Sequence, residues 1–269
     1  MKPEEALPEI HLSRRQLLMV AAATTANIAV QGITHAKTQA IKSTKVRNVV
    51  LVHGAFTDGS CWSEVIIRLQ ARHYNVVAVQ NPLTSLADDV AATKRVLGRM
   101  VGPVVLVGHS YAGAVISEAG IADHVAGLVY VSALAPDLGE SIIDLQRHGP
   151  PSAGMRGAKP DRNGYLWFDP ASYGSALAAD VSAERVRVLA ATQQPISGSC
   201  FAEKLTAAAW RKKPSWYLMS ENDRALSPAL QRWMAKRMKA STLAVPSSHM
   251  SLISHSDSVV ALIEKASRA

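Results

Sequence analysis

Three residues of this chain have the types and the settings for nucleophilic chemistry: Ser110, Asp223 and His249. A serine hydroxyl is a weak nucleophile at neutral pH. It needs a base within hydrogen-bond reach, and the base needs a third group to orient it. Ser110 lies in "VVLVGHSYAG", residues 104–113, where four apolar residues lead into Gly-His-Ser and small residues follow. An unbroken apolar run suits a strand covered on both faces. The residues from Ala112 to Ala119 can continue as a helix. Gly108, Ala112 and Gly113 have little enough bulk for the strand to turn straight into it. At such an elbow the serine backbone is strained and its hydroxyl exposed. The helix that follows directs its N–H groups at developing negative charge. The pattern is imperfect: Ala112 stands where G-x-S-x-G has its second glycine, and Gly113 comes one residue later. The alternative use of Ser110 is as a plain helix cap.

The base and the acid are expected where other strands end, because the carboxyl ends of parallel strands open on one crevice. Asp223 lies in "SENDRALSP" after the run "SWYLMS", and His249 lies in "PSSHMSLIS" after "STLAVP". The order Ser110, Asp223, His249 is that of a nucleophile-elbow triad. Asp137, which follows "GLVYVSALAP", is a second candidate for the acid, although "APDLGE" also reads as a turn and helix cap. His255 and Asp257 read as surface or capping residues at the last helix, and His109 is expected to point away from its neighbour Ser110. An oxyanion needs backbone N–H donors. The N–H of Tyr111 is one, and "HGAF", residues 53–56, offers a second from Ala55 or Phe56. His53 reads as a brace for that loop.

These residues need a particular set of elements to position them. From residue 46 onward apolar strands alternate with amphipathic helices, the pattern of a mostly parallel sheet flanked by helices. Six strands are expected: within 46–55, at "NVVAVQ", before Ser110, at "GLVYVSALAP", at "SWYLMS" and at "STLAVP". Residues 137–212 break the rhythm with a Pro- and Gly-rich stretch, an aromatic patch "GYLWFDPASY" and alanine-rich helical segments. An insertion of this length is usually functional, and it reads as a cap over the site. Tyr165, Trp167, Phe168, Tyr173 and Phe201 are candidates to line a pocket there, or else to glue the cap to the core. Trp167 and Phe168, together with Trp62 beyond the oxyanion loop, are the expected substrate-binding residues.

Composition excludes several classes. The chain has 269 residues, 48% hydrophobic and 19% charged, an ordinary globular balance. The net charge of +8 is not gathered into Lys/Arg blocks interleaved with aromatics, so it does not point to nucleic acid. Cys61 and Cys200 are the only cysteines, too few for a metal cluster or a disulfide framework, and their pairing is open. No metal or organic cofactor is expected.

The N-terminus is of another kind. "LSRRQLLMVAAATTANIAVQGITHA" pairs Arg14 with Arg15 ahead of an alanine-rich apolar run, and Thr34-His35-Ala36 suits a cleavage site. Residues 1–36 read as a twin-arginine export signal, which places the mature chain, 37–269, in the periplasm or outside the cell. The run is too short and too polar for a permanent membrane span.

The stretches "LVHGAFTDGSCWSEVIIRLQ", "NPLTSLADDV", "PVVLVGHSYAGAVI", "GLVYVSALAPDLGES", "PSWYLMSENDRALSPALQRWMAKR" and "SSHMSLIS" resemble the small bacterial α/β-hydrolases related to plant methyl-ester esterases and hydroxynitrile lyases. The resemblance runs from about residue 47 to 265. It implies an α/β-hydrolase fold with a cap inserted between strands, a triad of Ser110, His249 and Asp223, and an oxyanion loop near Ala55 and Tyr111. Its substrates vary: esters, lactones, carbamates, pyrethroids and cyanohydrins. The lyase members carry a lysine after the histidine and a threonine in the oxyanion loop, whereas this chain has Met250 and Gly54-Ala55. An esterase of small hydrophobic or aromatic esters is therefore expected. The alternatives are a lyase, a non-enzymatic ligand receptor, and a haloperoxidase-like side activity.

Overall fold

A computed structural model describes residues 45–269. The expected export segment, residues 1–36, lies outside the described residues. The centre of the fold is a six-stranded parallel sheet. Its strands are β1 (Asn48–Val52), β2 (Asn75–Val79), β3 (Val104–His109), β4 (Val125–Val131), β8 (Ser215–Ser220) and β9 (Ser241–Val245), in the spatial order β2-β1-β3-β4-β8-β9. All six are the strands expected from the apolar runs.

Every residue of β3 is buried, which is why its sequence shows no polar alternation. Each Val or Leu it hides contributes roughly 1.5–3 kcal/mol relative to exposure. Edge strands β2 and β9 are more exposed and carry polar residues at their starts, Asn75 and Ser241.

Helices α1 (Ser63–Gln70), α2 (Leu86–Leu97), α3 (Ala112–Ala119), α8 (Pro228–Arg237) and α9 (Ser256–Ala266) flank the sheet; α1 packs on α9 and α2 on α3. Their starts are written locally. Ser85 Oγ accepts the Asp88 N–H at 3.0 Å, and Asp88 and Asp89 occupy the first turn of α2, where negative charge suits the helix dipole. Pro228 opens α8, a position that lacks a partner for its missing N–H in any case.

The cap lies between β4 and β8. It contains the short helix α4 (Ile142–Leu145), strands β5 (Ala158–Pro160), β6 (Tyr165–Phe168) and β7 (Ile196–Ser197), helices α5 (Pro170–Leu177) and α6 (Ala183–Ala191), and the one-turn α7 (Ser199–Ala202). The alanine-rich helices are as expected. The small antiparallel sheet β5-β6-β7 is not: the aromatic patch forms its middle strand, with Trp167 opposite Lys159 and Leu166 opposite Ile196. "YLWF" has no clear alternation, and Pro160 is tolerated because β5 is an edge.

Candidate active site

The site is assembled from loops at the carboxyl ends of the sheet. β3 ends at His109 and α3 starts at Ala112, so two residues make the whole turn. Ser110 sits at its apex with φ 55°, in the left-handed region that non-glycine residues rarely adopt. Close approach explains the small residues around it. A Cβ on Gly54 would lie 2.8 Å from Ser110 Cβ and 2.9 Å from the His109 carbonyl oxygen. A Cβ on Gly113 would collide with the Leu134 carbonyl oxygen. The tight contact between this helix and the β4 loop is therefore made at Gly113, and Ala112, itself fully buried, is accommodated one residue earlier.

The three residues singled out from the sequence meet here. His249 Nε2 is 2.7 Å from Ser110 Oγ, and His249 Nδ1 is 2.7 Å from Asp223 Oδ2. Asp223 has no free lone pair. Its Oδ1 accepts the N–H groups of Ala225 and Leu226, both at 2.8 Å, and its Oδ2 accepts the Gln231 side-chain amide at 2.8 Å as well as facing His249. Gln231 also accepts the Ser220 N–H at 3.0 Å, tying the acid to the end of β8. Asp137 is elsewhere: both its oxygens pair with Arg211, at 2.5 and 2.6 Å. Asp257 pairs with Arg68 at 2.9 Å instead of capping a helix. His255 stands 3.7 Å from Asp180 and 3.0 Å from Ser254 Oγ.

His109 points away from Ser110, but not idly. Its Nε2–H donates to the His249 carbonyl at 3.0 Å, and its ring lies 4.8 Å from the His249 ring. Burial holds its pKa well below the ordinary histidine value, so it is neutral. His53 braces the loop as expected. Its Nδ1–H donates to Gly54 O at 2.9 Å and its Nε2 accepts the Asn81 N–H at 2.9 Å, with burial again favouring the neutral ring.

Ala55, Phe56 and Tyr111 border the space in front of Ser110. Among the described residues, their backbone N–H groups donate to no other group of the chain. Phe56 is left-handed at φ 59°, and the Tyr173 hydroxyl donates to its carbonyl at 2.9 Å. The side chain of Tyr111 donates to Asp89 at 2.7 Å, and Asp89 also accepts the Leu83 N–H at 2.8 Å. Burial raises the Asp89 carboxyl to about 6, against these hydrogen bonds, which draw it down.

The site opens into a cavity of about 590 Å³ roofed by the cap, within the usual range for small-molecule sites. Its walls are mostly apolar, among them Leu134, Ile142, Leu177, Phe201, Leu226 and Leu230. The three aromatics expected to bind substrate are not among them. Trp62 is fully buried beneath the site, edge-on to the His109 ring at 6.3 Å. Phe168 is buried between Phe56, at 5.0 Å, and Tyr173, at 6.0 Å, where it joins cap to core. Trp167 faces outward at 43% exposure, with its indole N–H on Asp161 at 3.2 Å. Alternation along β6 sends Trp167 and Phe168 to opposite faces of the small sheet; Leu166, on the face of Phe168, borders the cavity, while Phe168 itself is taken up by Phe56 and Tyr173. Of the cap aromatics named from the sequence, Phe201 reaches it. Cys61 and Cys200 are both buried and free, their thiols pushed up to about 12 by burial.

A model described as the alpha/beta hydrolase family matches residues 49–262. The chain belongs to that family. Among proteins similar to this alpha/beta hydrolase is a pyrethroid hydrolase of Sphingobium wenxiniae, 29% identical over 238 residues, covering 76% of this chain and 81% of that one. A crystal structure of a pyrethroid hydrolase from Sphingobium faniae superposes with a TM-score of 0.73 at 23% identity, over 82% of this chain and 97% of that one. A methylesterase from Arabidopsis superposes with a TM-score of 0.68 at 19% identity, over 82% and 98%. These two likenesses bear on the fold of the hydrolase. Among its described residues no helix is long and apolar enough to cross a membrane.

Proposed function

We propose that this alpha/beta hydrolase cleaves carboxylic esters through an acyl-enzyme on Ser110. The observation that carries the reading is the unbroken line Asp223–His249–Ser110, with two contacts of 2.7 Å, opening on an apolar cavity. Ser110 Oγ attacks the ester carbonyl while His249 Nε2 takes its proton. The tetrahedral oxyanion is held by the Tyr111 N–H and by an N–H of Ala55 or Phe56, and each such donor is worth about 3 kcal/mol in the transition state. His249 returns the proton to the leaving alcohol, then activates the water that releases the acid. Asp223 accepts from Nδ1 throughout and keeps Nε2 free to act as base.

The substrates are small, uncharged hydrophobic or aromatic esters. The apolar cavity walls support this, as does the name of one similar protein, a pyrethroid hydrolase. The lyase alternative would require a lysine after the base, and Met250, which is buried, stands there. The test is a panel of chromogenic neutral and anionic esters with Ser110→Ala and His249→Ala as controls. Either variant should lose at least about 10⁵-fold in kcat while remaining folded, and the double variant should be little worse than either. Near-normal hydrolysis by Ser110→Ala, or a preference for anionic esters, overturns the reading.

The paired Arg14 and Arg15 support export by the twin-arginine route, which sets the site of action in the periplasm or beyond. Periplasmic accumulation that survives replacement of both by lysine would refute this.

A further inference from the structure

The segment that carries His249 is held by the cap as well as by the sheet. Leu177 ends α5, and its carbonyl accepts the Met250 N–H at 3.1 Å and lies 3.2 Å from Ser248 Oγ. Three residues on, Asp180 accepts the Ser248 N–H at 3.1 Å and the Ser247 hydroxyl at 2.9 Å, and it also meets the Ser248 hydroxyl. Both neighbours of His249 are thus fastened by their N–H groups to one cap turn, 177–180. The Leu177 side chain, 3% exposed, lines the cavity. One short turn therefore touches the backbone around His249 and the space that the ligand fills.

We propose that Asp180 is a positioning residue for His249, and that the 177–180 turn couples filling of the cavity to alignment of the imidazole. The inference rests on the reading of Ser110 and His249 as nucleophile and base. His249 must keep two contacts of 2.7 Å at once, and a misplacement of about 1 Å can cost on the order of 100-fold in rate. Without the Asp180 carboxylate, the Ser247–Ser248 side keeps the Asn222 N–H on the Ser247 carbonyl and the His109 bond to the His249 carbonyl, but loses the partner of the Ser248 N–H. The cap then holds the segment through the Leu177 carbonyl, whose own place depends on what packs against the Leu177 side chain. A ligand long enough to fill the cavity packs on Leu177 and restores the alignment; a short one does not. The loss on removing Asp180 is therefore largest for small ligands. A purely structural anchor would affect all ligands alike.

The test uses the full chain and two alkyl fluorophosphonates, one with a methyl and one with an octyl chain. In the reaction the Ser110 Oγ–P bond forms, the P–F bond breaks, fluoride leaves and the serine proton passes to His249, so no ester turnover is required. For Asp180→Asn we expect the methyl reagent to react about 10-fold more slowly and the octyl reagent no more than about 3-fold more slowly. The p-nitrophenyl acetate and octanoate pair should show the same bias in kcat, with KM little changed, and Asp180→Glu should recover part of the rate. Should Asp180→Asn fail to fold, Ser248→Ala, which removes only a hydroxyl partner, should show a smaller loss with the same chain-length bias. Unchanged rates, or equal losses with both reagents, overturn the proposal. Labelling of Ser110 without cleavage of any ester would break the ester reading alone.

Discussion

The sheet edge and the cap contribute to one site by different physics. At the sheet edge, position is set by backbone. Buried strands end in register, and glycines allow contacts that no side chain would, as at Gly54 against Ser110. In the cap, position is set by side chains laid over the edge. Phe168 packs on Phe56, Tyr173 bonds the Phe56 carbonyl, and Asp180 grips Ser247 and Ser248. The first kind of contact tolerates almost no substitution and hardly depends on substrate. The second kind can shift with what fills the cavity. A framework for the chemistry is thus paired with an adjustable wall for recognition.

The largest expected effect tests whether the acid belongs to the edge alone. Asp223→Asn should lower kcat about 10⁴-fold, because the histidine then loses its correct tautomer. Asp137→Asn breaks a pair with the half-exposed Arg211 and should change activity less than about twofold. Steady-state kinetics of the two folded variants would separate them, and the reverse ranking would move the acid to Asp137. Gly54→Ala comes next. The new methyl group must displace the oxyanion loop or the elbow, and a displaced donor costs about 100-fold in kcat with a smaller change in KM. Activity close to wild type would mean that the edge is softer than its contacts imply.

The cap aromatics sharpen the comparison through stability. Phe168→Ala should cost about 3–5 kcal/mol in denaturant unfolding, as for a buried aromatic. Trp167→Ala should leave kcat/KM within about twofold, since its ring faces away from the cavity. A selective loss of affinity in Trp167→Ala would return it to the substrate wall.

The smallest effect concerns Asp89, which supports Tyr111 from α2. Its carboxyl is raised by burial from 3.8 to about 6. Between those values the folded chain holds a proton that the unfolded chain has lost. The contribution of Asp89 to stability is thus fully present below pH 3.8 and is lost as pH rises through 6. Asp89→Asn does not titrate. From pH 4.5 to 7 the wild type should lose about 2 kcal/mol relative to this variant. Parallel stability curves for the two would show that Asp89 is ionised throughout.

The edge was readable in the sequence because its signals are local. An apolar run announces each strand, and a serine, an acid or a histidine just beyond it announces the site. The six strands, the nucleophile turn and the meeting of Ser110, Asp223 and His249 follow from that rule. The cap carries no such period. Its turns are short and rich in Pro and Gly, and its small sheet pairs strands of two to four residues. Its aromatics were visible as a patch, but which face each would take depended on the register of β6. The supporting contacts were hidden for a different reason. Gln231 sits in an ordinary amphipathic helix, and Asp180 lies 68 residues from Ser248. Neither the spacing nor the residue type marks either one; the pairing exists only after the chain has folded.

Ser110, at φ 55°, has a further consequence. An L-residue in that region bears roughly 1–2 kcal/mol of conformational strain, from which glycine is free. Ser110→Gly should therefore melt higher than both Ser110→Ala and the wild type, while being as inert as the alanine variant. The position where the chain reacts is one it would fold better without. Selection for thermal robustness alone, with no demand for turnover, should erode this serine before it touches the strand that presents it.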